Sequence, residues 1–201
     1  MKTTQSKAFD ATHLTQIKQA VLTTVDCVRQ KRVEDYADLA LCVRAVLDLA
    51  IQHDEDHSQS LMYFVFSVED GGAPSSNDAE DWELIAYLKT HTPTRRERHS
   101  EHNRREKVFG PRDRETIVQA LLVAADALTS GLVTESYQVG MCLHPTVSAA
   151  VFNESDIEEA IVEFGNVLHF GSATGWKNQA RRHRLVAFVK ADLHRRLSNL
   201  V

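Results

Sequence analysis

Apolar residues recur along most of this chain at three- and four-residue steps, the spacing that places them on one face of an α-helix. Leu14, Ile17, Val21, Val25 and Val28 form the first such stripe, with Lys18, Arg29 and Gln30 largely on the other side. Residues 33–51 predict a second helix, apolar on most sides through Leu39, Leu41, Val43, Val46, Leu47 and Leu49, as expected of a central helix. The first glycine or proline is Gly71, so no strong breaker interrupts the residues before it, and the apolar run 61–68 therefore reads as helix. Gly-Gly-Ala-Pro-Ser-Ser-Asn within 69–78 predicts a mobile loop, with Asn77 and Glu80 spaced to cap a helix over 78–90 that buries Trp82, Ile85 and Leu88.

Thr92-Pro93 ends that helix. Gly110-Pro111 is a second break, and Pro111 suits a first helical position. Residues 112–130 predict a helix with Ile117, Leu121, Ala124, Ala125 and Leu128 inward and Gly131 as its C-terminal cap. Residues 132–152 show only a thin helical pattern, and Pro145 is expected to break it. Ser155 and Glu158 form a further capping pair ahead of a helix burying Ile157, Ile161, Phe164 and Leu168. After the turn 171–175, residues 176–200 predict a last helix that buries Leu185, Val189, Leu193 and Leu197. The expectation is one all-α domain over residues 1–201, a compact multi-helix body of seven to nine helices without an internal repeat.

Composition fits this picture. The chain has 201 residues, of which 43% are hydrophobic and 25% charged. That is enough for a sizeable core without staples. Three widely spaced cysteines, Cys27, Cys42 and Cys142, sit among apolar neighbours and read as buried free thiols of a reducing compartment. The polar N-terminus is not a secretory signal, and no apolar run approaches the ~20 residues that cross a bilayer. The reading is a cytoplasmic protein of bacterial type with no membrane partner.

Charge changes the picture more. The net charge is -5, yet residues 94–114 hold eight basic side chains against four acidic, and residues 177–196 hold seven against one. The remaining chain carries eight basic and 23 acidic residues. Such segregation is a statement about partners. Arg95, Arg98, His99, His102 and Arg105 share one helical stripe in an exposed basic segment. Lys177, Arg181 and Arg184 share another near the C-terminus. Arginine forks match phosphate geometry, so these eight residues are candidate nucleic-acid contacts. The leading expectation is a non-enzymatic regulatory protein that binds nucleic acid through arginine-rich surfaces. A second expectation is an adaptor or self-assembling homo-oligomer whose basic faces dock an acidic protein surface.

Two clusters could carry chemistry instead. His53 and His57 stand one helical turn apart around Asp-Glu-Asp, a spacing that chelates a metal if His13, His144 or His169 supplies a further ligand. Arg96 with His102, and Asn178 with His183, resemble the Arg/Asn-x4–6-His pattern of HEPN ribonucleases. That resemblance implies a phosphodiesterase in which the histidine and the polar residue act together on the phosphodiester. Neither cluster calls for a cofactor, and no catalytic residue is assigned.

Overall fold

The computed structural model describes residues 8–52, 56–69, 79–93, 108–152, 154, 156–170 and 179–199. Among them are eight helices and no strand. They are α1 (Ala11–Arg29), α2 (Tyr36–Ala50), α3 (His57–Glu69), α4 (Ala79–His91), α5 (Pro111–Ser130), α6 (Ser136–Val151), α7 (Ile157–Phe170) and α8 (Gln179–Ser198). The all-α expectation therefore holds. The loop expected at 69–78 and the basic run 94–107 lie almost wholly outside the described residues.

The first half and the second half are the same four-helix unit. Through their first three helices they align without a gap, so that equivalent residues there share their last two digits: Phe9 and Phe109, Ile17 and Ile117, Val33 and Val133, Cys42 and Cys142, Phe64 and Phe164. α4 and α8 align one residue further on, 84–89 with 185–190. The expectation of no internal repeat is thus wrong. The surfaces of the two halves have diverged, and the correspondence survives mainly at buried positions, where volume and shape restrict substitution. Backbone contacts repeat in the same way. The amide of Phe9 donates to the Thr134 carbonyl at 2.8 Å, and that of Phe109 donates to the Glu34 carbonyl at 2.7 Å.

The units are intertwined. α1 lies against α5, and each pairs with the helix that follows it, α2 or α6. The later helices cross over: α3 packs on α6 and α7, α4 on α5 and α6, α7 on α2 and α3, and α8 on α1 and α2. One apolar cluster runs through both halves, from Ile17, Val21, Leu39 and Leu47 to Ile117, Leu121, Leu143 and Leu168. Where α3 crosses α6, Gly140 leaves no room for a side chain: a Cβ there would stand 2.7 Å from Phe64 Cδ1.

Helix ends follow local chemistry. Asp10 caps α1 by accepting the His13 amide at 2.7 Å, and Asp35 caps α2 by accepting the Asp38 amide at 2.9 Å. Gly131, at φ 80°, closes α5 as expected. The equivalent turn after α1 contains no glycine, and Lys31 takes the left-handed conformation at φ 57°. That turn separates α1 from α2 with no breaker in the sequence.

Three local expectations fail. Pro145 lies inside α6 rather than ending it. Proline removes its own amide donor and crowds the Met141 carbonyl, and the packed stripe of Val139, Leu143 and Val147 on both sides holds the helix together across it. Trp82 is 57% exposed, because α4 is rotated to bury Asp81, Leu84 and Leu88. Ile157, at the first turn of α7, is exposed as well.

Candidate anion-binding face

α8 runs across the first half from the start of α2 to the C-terminal part of α1. Near its N-terminal end Arg181 and Arg182 reach the start of α2. Arg181 Nη1 donates to Asp38 Oδ2 at 2.6 Å and stands 3.3 Å from Glu34 Oε2. Arg182 Nε donates to Asp38 Oδ1 at 3.1 Å, and its Nη2 donates to Asp35 Oδ2 at 3.0 Å. Asp38 is fully buried, and it also accepts the Glu34 amide at 2.9 Å. Burial, and next the Asp38 carboxylate, push the Asp35 carboxyl up from its ordinary value, against the pull of both arginines. Burial works against the charge of Arg181, but the hydrogen bond to Asp38 and the surrounding carboxylates outweigh it and hold the guanidinium charged.

In the middle of α8, the Arg32 guanidinium lies 3.7 Å from the centre of the Phe188 ring. This contact brings the α1–α2 turn, with exposed Arg29, Lys31 and Arg32, against α8. Arg184 lies one turn before Phe188 on the same flank of the helix and Arg195 two turns after it, both exposed. Further along, Arg196 Nε donates to Asp192 Oδ2 at 2.7 Å, and its Nη2 donates to Asp26 of α1. Thr23 Oγ1 donates to Asp192 Oδ2 at 3.2 Å. Burial raises the Asp192 pKa, but the hydrogen bonds from Arg195 and Arg196 more than offset this and hold it below its ordinary value.

The face therefore has two layers. Inner arginines, Arg181, Arg182 and Arg196, are spent on carboxylates that fasten α8 down. Outer cations, Arg29, Lys31, Arg32 and Arg184, make no salt bridge among the described residues, and Arg195 shares only the partly buried Asp192.

The candidate residues distribute unevenly over this geometry. Arg184 is on the outer layer. Arg181 is half-buried within the carboxylate cluster of α2. Arg95, Arg98, His99, His102, Arg105, Lys177 and His53 lie outside the described residues, as do Arg96 and Asn178 of the HEPN-like spacings. His183 is exposed on α8. His57 opens α3, exposed, with Nε2 3.4 Å from Asp48 Oδ1. No group of three or more histidine, cysteine or acidic side chains among the described residues is placed to hold a metal ion. His13 is directed elsewhere, with Nε2 2.5 Å from the Leu49 carbonyl.

Arg29, Lys31 and Arg32 were missed by sequence reasoning. Three cations in four residues at a helix end are a visible signal. The signal gains meaning only because α8 packs beside them, some 150 residues along the chain.

Neither a family model, nor a curated protein, nor a solved structure matches this chain. No described helix is long and apolar enough to cross a membrane.

Proposed function

We propose that the protein is a non-enzymatic regulatory protein that binds the phosphate backbone of a nucleic acid through the outer layer of α8 and the α1–α2 turn. The observation that carries this reading is the Arg32–Phe188 contact, which joins a turn from one half and a helix from the other into a single cationic strip. Its outer residues are mostly arginines, whose planar forks suit phosphate oxygens. The carboxylates beneath them are already engaged by inner arginines, so they compete little for the outer cations. Among its described residues the strip contains no aromatic ring free to stack on a base, since Phe188 is covered by Arg32. Binding is accordingly backbone-directed and weakly selective for sequence.

Fluorescence anisotropy with labelled duplex DNA and duplex RNA, titrated against salt, tests the reading. Four or five phosphate contacts give a log–log slope of about -4, and Arg184→Ala reduces its magnitude by about 1. Absence of binding at low salt overturns it. Equal binding to polyglutamate transfers the face to an acidic protein partner.

One observation favours a second reading, a protein adaptor or self-assembling subunit. Val162 and Phe170 are exposed on one stripe of α7, with Ile157 on the same helix and Met62 exposed on α3, which packs against α7. Light scattering at high salt distinguishes the two, since association through this apolar surface strengthens where phosphate binding is lost.

A further inference from the structure

The duplication poses a pairing problem. α4 and α8 are equivalent, and so are the surfaces that receive them, α5–α6 and α1–α2. Each of the two terminal helices thus has two similar places to dock, one on its own half and one on the other. Apolar burial discriminates poorly between them. α4 buries Leu84 and Leu88 and α8 buries Leu185 and Val189 at the equivalent places, while the receiving helices are apolar at matched buried positions, Val28 with Leu128 and Val43 with Leu143. Yet only the crossed arrangement is formed.

The two docking sites differ at one capping position. Asp38 and Gln138 are equivalent residues, the third of α2 and of α6, and both reach back over the helix start. Asp38 takes the Glu34 amide, and Gln138 Oε1 takes the Thr134 amide at 2.6 Å and the Glu135 amide at 3.1 Å. Their outward chemistry is opposite. A carboxylate only accepts, and Asp38 accepts from Arg181 and Arg182 of α8. The carboxamide has donors left, and Gln138 Nε2 donates to Asp81 Oδ1 of α4 at 2.9 Å. Tyr137 donates its hydroxyl to the same Asp81 oxygen. Asp81 is itself the equivalent of Arg182, as Leu84 and Leu88 are of Leu185 and Val189, so helix and receptor have both inverted.

We infer that Asp38 and Gln138 are selectivity residues, which decide that α8 docks on the first half and α4 on the second. The uncrossed arrangement places Asp81 against Asp38 and Asp35, three carboxylates with no donor of α4 in the equivalent place. It also places Arg181 and Arg182 against Gln138, whose oxygen is already occupied by two amides and the Thr134 hydroxyl. Both mispairings desolvate charge without compensation, because Asp38 and Asp81 are fully buried and Arg182 is 7% exposed. Two otherwise interchangeable interfaces are made distinct by repulsion as much as by attraction.

Exchange of the two locks in the full-length chain tests this. One variant exchanges the receptors, Asp38→Gln with Gln138→Asp. A second exchanges the docking residues, Asp81→Arg with Arg182→Asp. A third carries all four substitutions. Each exchange alone lowers the urea midpoint, and the fourfold variant, in which every lock again meets its key, recovers at least half of the summed loss. A midpoint for the fourfold variant at or below that of the additive sum overturns the inference. If both double variants are unfolded, cooperative unfolding of the fourfold variant still supports it, and an unfolded fourfold variant overturns it.

Discussion

Arg32 and Phe188 stand 156 positions apart in sequence and are stacked 3.7 Å apart in space, fastening the α1–α2 turn to the middle of α8. A partly exposed cation–π contact of this kind is worth about 0.5–1 kcal/mol. Phe188→Leu keeps most of the apolar volume and loses the ring. Chemical denaturation is expected to show a loss of about 1 kcal/mol, and the salt slope for nucleic-acid binding is expected to fall as the turn is released from α8.

Lys31 holds a left-handed backbone conformation that its counterpart Gly131 adopts without strain. Lys31→Gly is expected to raise stability by about 0.5–1 kcal/mol while removing one phosphate contact. The reverse substitution is a control. A Cβ at Gly131 meets nothing within 4 Å, so Gly131→Ala isolates the backbone term and is expected to cost about 1 kcal/mol with binding unchanged. Thermal melts and anisotropy titrations on the two variants separate stability from binding.

Gly140→Ala drives a methyl group against the Phe64 ring, 2.7 Å from its Cδ1. Overpacking of this size costs about 1–3 kcal/mol. Phe64→Leu placed in the same chain is expected to recover part of that loss, a coupling that a double-mutant cycle measures.

Burial holds the His144 pKa below its ordinary value. The unfolded chain therefore binds a proton at this site before the folded protein does, so the site adds stability above the unfolded value of about 6.5. That contribution is lost as pH falls from about 7 through the lowered folded pKa. Urea midpoints between pH 7.5 and 5 are expected to decline less steeply for His144→Gln than for the parent protein.

The helices were largely legible because their stripes are. Ile17, Val21, Val25 and Val28, like Ile117, Leu121 and Leu128, bury the face that their spacing predicts. The failures came where a tertiary partner sets the phase. Trp82 is outward because Asp81, its neighbour, turns inward to Tyr137 and Gln138, and no local pattern contains that contact. The duplication is poorly legible in the sequence because charge and capping chemistry are where the halves differ most, Asp38 against Gln138 and Asp81 against Arg182, and because α8 is shifted by one residue relative to α4. At the candidate face, Arg184 was identifiable from its charge alone. The division between anchoring and outward arginines was not, because Arg181 and Arg184 look alike until the carboxylates of α2 are in place.

Crossing of the halves has a consequence for synthesis. When α1 and α2 have left the ribosome, the helices that cover them, α5, α7 and α8, have yet to be translated. The N-terminal half must wait with Val21, Leu39 and Val43 uncovered, and its completion depends on chain made roughly 100 residues later. Vectorial folding, one half after the other, is closed to this protein. Its nascent chain presents the apolar surface that chaperones recognise until translation is nearly over.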